Sequence, residues 1–300
     1  MNRFVSRRPC RRLLGLGVFI VVSPALLGSI WGFYCAHPLR QHRAPDDTPG
    51  QWDIPYESVT FSTADGLTLA AWYTPPKHGA VILVGHGFAN SRLADIHALF
   101  ARHDYGALSW DFRAHGDSQG RLCSVGYYEV QDVEAALDFA LDQPGVEWIG
   151  VWGGSMGGIA AIGAASERPE IRAVVVDSVP FTAHATLDVY VRPGILRPFF
   201  RYAAEHEIGF SIDLIRPVDQ IGDISPRPVF IIQGTADSQI DTDSAQRLYQ
   251  AAGEPRMLWL QPGADHLEIY AAQPEEYERR VIGFFDAALQ EDGNVSAGSH

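Results

Sequence analysis

The chain has 300 residues, of which 46% are hydrophobic and 20% charged, and its formal net charge is −13. This size and composition fit one globular domain with a short appendage. An acidic surface repels phosphate backbones, so nucleic acid is not expected as a partner. The cysteines Cys10, Cys35 and Cys123 have no metal-ligand spacing, and the body holds only Cys123, so it has no internal disulfide.

The N-terminus combines a basic start with an apolar run. Five arginines and no acid occupy the first twelve positions, and no charged residue follows from Leu13 to Tyr34. As a helix this run would be roughly 33 Å long, enough to cross a hydrocarbon core of about 30 Å. We therefore predict a basic segment over 1–12 and a transmembrane helix, a signal anchor, over 13–35. The arginines predict a cytoplasmic N-terminus and a body on the non-cytoplasmic, periplasmic or extracytoplasmic side.

Two alternatives to the anchor stay open. Ser23-Pro24-Ala25 offers small residues after an apolar stretch, as a cleavable signal peptide would, and the protein would then be secreted. The run could also be a buried core helix. Four prolines over 36–55 predict a linker, the tail over 291–300 is predicted to be disordered, and residues 56–290 form the predicted folded domain.

Strand and helix patterns alternate along the body. A hairpin around Ala64-Asp65-Gly66 opens it, and short apolar runs such as Val81–Val84 follow, typical of strands buried on both faces. This alternation with short connections predicts a mostly parallel, doubly wound α/β sheet of eight strands, covered by helices on both faces. The predicted strands are 59–61, 67–73, 81–84, 107–110, 149–152, 173–176, 229–232 and 257–260.

One interval, residues 181–224, interrupts this alternation. It shows no strand pattern and mixes aromatic with charged residues. An insertion so late in a doubly wound sheet would lie over the carboxyl ends of the strands, where ligands bind. We predict a helical cap there. The alternative is a segment that packs against the domain and has no role in binding.

The strongest chemical signal is Gly153-Gly154-Ser155-Met156-Gly157, a Gly-x-Ser-x-Gly pattern between a buried strand and a helix. A sharp strand-to-helix turn exposes the serine hydroxyl, and side chains at the flanking glycines would clash. The helix N-terminus also points its N–H groups at the reacting centre. Ser155 is therefore the candidate nucleophile.

A serine hydroxyl is a weak nucleophile and needs a base, which in turn needs an orienting acid. Asp237 follows the strand 229–232, and His266 follows the last strand. The order serine, aspartate, histidine is the one that this architecture uses. Asp237 and His266 are the candidate partners of Ser155, and Asp177, at the end of another strand, is the second candidate for the acid.

An oxyanion intermediate requires preorganised donors, usually two backbone N–H groups. Met156, directly after the nucleophile, supplies one. Phe88, in the segment Gly85-His86-Gly87-Phe88 that ends a strand, supplies the other. His86 is interpreted as structural.

These motifs together resemble the α/β-hydrolase superfamily from about Val59 to Ala288. Within it the chain is similar to the esterase-like and serine-aminopeptidase-like branch, which includes members with an N-terminal membrane anchor. The resemblance implies the α/β-hydrolase fold and a structural turn at the Asp-Phe-Arg-x-His-Gly-x-Ser segment, so no catalytic role is assigned to Arg113 or His115. The segments that carry it are Gly85–Phe88, Asp111–Ser118, the turn at Ser155, Gly234–Asp237 and Asp265-His266.

The residues therefore predict a serine esterase that works through an acyl-enzyme, without metal or organic cofactor. Its expected partner is a small acyl substrate, including lipid-like ones, besides the membrane at its N-terminal helix. A peptidase, amidase or thioesterase would use the same triad. A non-catalytic binding protein on the same fold is the alternative of another class, although it would have no need to keep all three residues.

Overall fold

The computed structural model describes residues 23–40 and 47–297. The basic segment 1–12 and the first part of the predicted anchor, 13–22, lie outside these residues. A single sheet of eight strands runs through the described chain, in the spatial order β1-β2-β4-β3-β5-β6-β7-β8. β2 is antiparallel to both β1 and β4, and every other neighbouring pair is parallel. The strands are β1 Glu57–Ser62, β2 Thr68–Thr74, β3 Ala80–Gly85, β4 Gly106–Trp110, β5 Trp148–Gly154, β6 Ile171–Asp177, β7 Val229–Gly234 and β8 Arg256–Gln261.

Helices cover both faces of this sheet, which confirms the predicted α/β architecture. Every residue of β3 and β5 is buried, as expected for strands with a helix layer on each side. α3, α4 and α8 pack on one face, and α2 and α10 pack on the other. The helices are α1 over 23–36, α2 Ala94–Arg102, α3 Glu129–Leu141, α4 Met156–Glu167, α5 Ala183–Tyr190, α6 Arg197–Ile208, α7 Pro217–Gln220, α8 Thr242–Ala251, α9 Ile269–Ala272 and α10 Pro274–Ala297.

The interval 181–224 is helical, and we call it the cap. It consists of α5, α6 and α7 with three short 3₁₀ turns, Gly194–Leu196, Ile212–Leu214 and Ile221–Ile224. Apolar side chains of α5 and α6, including Leu187 and Phe200, form a small core in which Ala36 of α1 is also buried. Ile221 and Ile224, at the end of the cap, pack into the main core of the domain.

The N-terminal anchor is the prediction that the structure overturns. No helix in the described ranges is long and apolar enough to cross a membrane. Instead, Gly28 and Gly32 of α1 lie against the backbone of α6, and Ala36 is buried beneath the cap. Apolar and small residues suit a contact with another helix as well as a contact with lipid. The composition of residues 23–35 therefore does not distinguish a packed helix from a membrane-spanning one. The described residues therefore do not support the predicted transmembrane anchor over 13–35, and the membrane location derived from it is wrong.

Two further boundaries differ from expectation. Residues 36–40, predicted to open a linker, are bound to the domain: the guanidinium of Arg40 donates to the carbonyls of Gly116, Ser118 and Gly120. A 3₁₀ turn occupies Pro49–Trp52. The tail predicted to be disordered from 291 is helical through Ala297, because α10 continues that far, and 298–300 lie outside the described residues.

Candidate active site

Ser155 is the single residue between the end of β5 and the start of α4. Its backbone has φ 51° and ψ −116°, a conformation that costs free energy for a residue with a side chain. The turn is held by the Ser155 N–H, which donates to the carbonyl of Asp177 at 2.8 Å. The serine side chain lines a cavity under the cap. This is the geometry that the motif predicts for a nucleophile.

Glycines are required where the turn is tightest. A Cβ on Gly157 would lie 2.4 Å from the carbonyl oxygen of Gly85, and one on Gly153 would lie 2.5 Å from that of Gly157. A side chain at Gly157 would push α4 away from β3, and one at Gly153 would push β5 away from α4. Either change would move the serine.

Asp237 and His266 are in direct contact. Nδ1 of His266 lies 2.9 Å from Oδ2 of Asp237, and the carboxylate is fully buried. The same carboxylate accepts hydrogen bonds from the backbone N–H groups of Gln239 and Ile240, and from the side-chain amide of Gln233. With four donors it is fixed in position, and the Nδ1–H tautomer leaves Nε2 of His266 free to accept a proton.

The turn that carries His266 lies beside the serine. Leu267, the next residue, would be 3.1 Å from a Cβ on Gly154 and 3.5 Å from one on Gly87, and a Cβ on Gly87 would lie 3.4 Å from Cβ of Ser155. Within the described residues no hydrogen bond joins Ser155 Oγ to His266. Such bonds are often long in the absence of substrate.

Asp177, the second candidate acid, is bonded elsewhere. It is fully buried, and its carboxylate accepts from the hydroxyl groups of Ser178 and Tyr277, each at 2.9 Å. Burial raises the pKa of Asp177 to about 6, although these hydrogen bonds act in the opposite direction. The carboxylate makes no hydrogen bond to His266 in the described chain.

Asp177 nevertheless belongs to a network beneath the site that sequence reasoning missed. Tyr277 OH also accepts from Nε1 of Trp152 at 2.8 Å, and the Leu267 N–H donates to Ser178 Oγ at 3.3 Å. The network thus joins α10, β5 and the turn after His266. No sequence signal marks it, because Trp152, Asp177 and Tyr277 lie far apart in the chain and meet only in the folded structure.

The two predicted oxyanion donors lie at the same cavity as the nucleophile. Both Phe88 and Met156 line it together with Ser155. Within the described part of the chain neither backbone N–H donates a hydrogen bond to another protein group. Ala89, directly after Phe88, has φ 52°, so this loop is also held in a left-handed conformation.

His86, Arg113 and His115 fasten the loops around the site. Nε2 of His86 accepts from the Phe112 N–H at 3.0 Å, and Nε2 of His115 accepts from the Ala89 N–H at 3.2 Å. Arg113 binds Asp132 through two nitrogens and also reaches Asp65. The two histidines connect the Asp-Phe-Arg-x-His-Gly-x-Ser segment to the loop that carries Phe88. Arg113 connects the same segment to α3 and to the turn between β1 and β2.

The cavity at Ser155 has a volume of about 110 Å³ and is lined mainly by apolar side chains. Its polar lining groups are uncharged, among them Ser124, Thr186 and Tyr190. Among the described residues no side chain with a formal charge at neutral pH lines it. A neutral, mainly apolar group fits this space, whereas an ion would lose its hydration there without compensation.

Comparison with known proteins agrees with this architecture. The family described as serine aminopeptidase, S33, matches residues 76–205. The uncharacterised protein YfhR of Escherichia coli O157:H7 is 28% identical over 262 residues, which cover 82% of this chain and 86% of that protein. The α/β-hydrolase domain-containing protein WAV2 of Arabidopsis thaliana is 23% identical, over 84% and 85% of the two chains.

Among solved structures, the Pyrococcus furiosus esterase Pf2001 superposes with a TM-score of 0.72 and 26% identity. The match covers 84% of this chain and 98% of the esterase. Fold and comparisons together support the α/β-hydrolase superfamily as the class of this protein. Within that class, the matched family and the esterase structures support a hydrolase.

Proposed function

We propose that the protein hydrolyses carboxylic esters through an acyl-enzyme on Ser155. The observation that carries this proposal is the placement of a strained serine turn and a buried Asp237–His266 pair at one edge of the sheet, with the serine lining an uncharged, mainly apolar cavity. Nucleophile, oriented base and acyl pocket are the parts that this chemistry needs.

In the proposed reaction His266 Nε2 removes the Ser155 proton as Oγ attacks the acyl carbonyl. The N–H groups of Phe88 and Met156 stabilise the oxyanion, and Asp237 stabilises the imidazolium that forms. His266 then protonates the departing alcohol. Water, activated by the same histidine, attacks the acyl-enzyme and releases the acid.

The lining favours esters over the free N-termini that an aminopeptidase takes. A positively charged α-amine needs a carboxylate partner in its binding site, because burying an unpaired ammonium group is costly. The described residues that line the cavity include no aspartate or glutamate. Amides and thioesters with neutral acyl groups remain the rival substrates, since they would use the same three residues.

The test compares matched ester, thioester and amide substrates that share one acyl group. We expect the ester to be turned over and the matched amide to be at least about a hundredfold slower. Ser155→Ala should abolish both turnover and labelling by a fluorophosphonate probe. Ser166→Ala is the matched control, since Ser166 lies on α4 and its hydroxyl donates to the carbonyl of Gly163 in the same helix. Equal labelling of Ser155→Ala and the unmodified protein contradicts the assignment, and binding without turnover favours the non-catalytic alternative.

A further inference from the structure

The cavity at Ser155 has walls from three parts of the chain. The body contributes residues of α4 such as Ile159, and the cap contributes Leu187 and Ala204. The third wall is formed by Cys35 and Ala36, at the end of α1. Residues far from the catalytic motifs in sequence therefore border the space in which the substrate would lie.

α1 reaches this position because two glycines let it approach α6 closely. A Cβ on Gly32 would lie 2.3 Å from the carbonyl oxygen of Phe200, and one on Gly28 would lie 2.6 Å from that of Leu196. The two glycines are four residues apart, so they face the same side of the helix. Cys35 and Ala36 follow one turn after Gly32, which carries them to the cavity.

The end of α1 is also fixed from the other side. The Cys123 N–H donates to the Ala36 carbonyl at 2.8 Å, and Cys123 itself lines the cavity. His37 bonds the carbonyl of Arg121 at 2.6 Å and lies 2.9 Å from Oε2 of Glu207 on α6. This wall is thus tied both to the body and to the cap.

The volume sets a scale for what fits. A dry apolar cavity of about 150 Å³ in another protein holds benzene, so about 110 Å³ takes a chain of roughly four to six carbons. A longer chain would not fit within this volume unless a wall moved. The wall formed by α1 is held against α6 by the close approach of Gly28 and Gly32.

We propose that Cys35 and Ala36 form the wall that limits the length of the acyl chain, and that they thereby restrict the substrate to esters of short fatty acids. This inference rests on the proposed ester hydrolysis. It makes α1 a specificity determinant of the enzyme.

The experiment measures kcat/KM of the full chain on acetate, butyrate, hexanoate, decanoate and dodecanoate esters of one alcohol. The unmodified protein should prefer butyrate or hexanoate and lose at least tenfold on decanoate. Ala36→Leu places a larger side chain at the wall of the pocket. One methylene in a hydrophobic pocket changes kcat/KM by roughly 10- to 200-fold, so the hexanoate-to-acetate ratio should fall at least tenfold. Ile30→Ala is the control on the exposed face of α1 and should leave the ratio unchanged.

Gly32→Ala is the second variant, and its added Cβ should push α1 from α6 and open the pocket. We expect the ratio of kcat/KM on decanoate to kcat/KM on hexanoate to rise at least fivefold. This ratio and the hexanoate-to-acetate ratio do not depend on the fraction of folded protein, because that fraction cancels. Ratios that stay within twofold of the unmodified protein in both variants overturn the inference, as does equal turnover of hexanoate and dodecanoate by the unmodified chain. Absence of any ester turnover and of probe labelling at Ser155 would instead defeat the proposed function.

Discussion

The imidazole of His266 is held by a carboxylate that has no exposed surface: Oδ2 of Asp237 lies 2.9 Å from Nδ1, and the aspartate side chain is completely buried. Asp177 is as deeply buried, but its two oxygens are bonded to hydroxyl groups. The two carboxylates should therefore have separable effects on turnover.

Asp237→Asn should lower kcat of ester hydrolysis by about 10³- to 10⁴-fold, because an amide favours the wrong tautomer of the histidine. Asp177→Asn should lower it by no more than about tenfold, since its side chain does not hydrogen-bond the imidazole. Steady-state kinetics on one ester, with thermal unfolding to check that both variants fold, measures this. The reverse order of effects would transfer the role of the acid to Asp177.

Gly157→Ala should destabilise the protein by about 3 kcal/mol or more and should reduce activity, because the new Cβ meets the backbone of β3. Gly283→Ala is the matched control on α10, where a Cβ meets nothing within 4 Å. Helix propensity predicts that it is neutral or stabilises by up to about 1 kcal/mol. Denaturant unfolding measures the free energy of unfolding of both variants. Similar losses in the two would mean that the destabilisation does not come from the close contact between Gly157 and β3.

Tyr277→Phe should cost about 1–3 kcal/mol of unfolding free energy for each polar partner left unpaired, namely Oδ2 of Asp177 and Nε1 of Trp152. Since Tyr277 makes no hydrogen bond to Ser155, Asp237 or His266 within the described residues, kcat of the folded enzyme should change little. Tyr202→Phe, on an exposed residue of α6, is the control and should leave stability within about 0.5 kcal/mol. A loss of kcat without a loss of stability would assign Tyr277 a direct part in positioning the site.

His97 predicts a pH dependence of stability. It is fully buried between the hydroxyl groups of Thr74 and Ser109, and burial lowers its pKa from 6.5 to about 3. Below pH 6.5 His97 is protonated in the unfolded chain but stays neutral in the folded protein. Its contribution to the free energy of unfolding is therefore complete above pH 6.5 and is lost as the pH falls toward 3. The loss attributable to this residue is up to about 5 kcal/mol.

His97→Gln keeps a donor and an acceptor at this position but removes the titration. We expect the difference in unfolding free energy between the variant and the unmodified protein to change with pH between 6.5 and 3, in favour of the variant at the acid end. Urea unfolding at several pH values measures it. A difference that is constant with pH would show that His97 is protonated in the folded state.

Local signals predicted the sheet and the candidate catalytic residues. Buried parallel strands are short apolar runs, and the strained turn at Ser155 needs glycines at fixed spacing, so both are visible in a few consecutive residues. Asp237 and His266 could be placed because each follows a strand, and the carboxyl ends of parallel strands meet at one edge. Their mutual contact depends on that topology alone.

The position of α1 could not be predicted in the same way. An uncharged run with glycines is compatible with a lipid surrounding and with a protein surface, and the choice depends on α6, which lies some 170 positions further on. The hydrogen bond between Asp177 and Tyr277 joins residues 100 positions apart and was equally invisible. Both features are properties of the assembled structure.

The attachment of α1 matters for where the chain should be cut in the laboratory. Composition suggests a start near residue 56, where the predicted linker ends and the first strand is about to begin. A truncation there would retain every strand and all three candidate catalytic residues, and it would also remove Cys35, Ala36 and the guanidinium that binds the Gly116–Gly120 loop. Substrate profiles recorded on such a shortened protein would describe a pocket that lacks one of its walls. Recombinant versions meant for screening should therefore begin before residue 23.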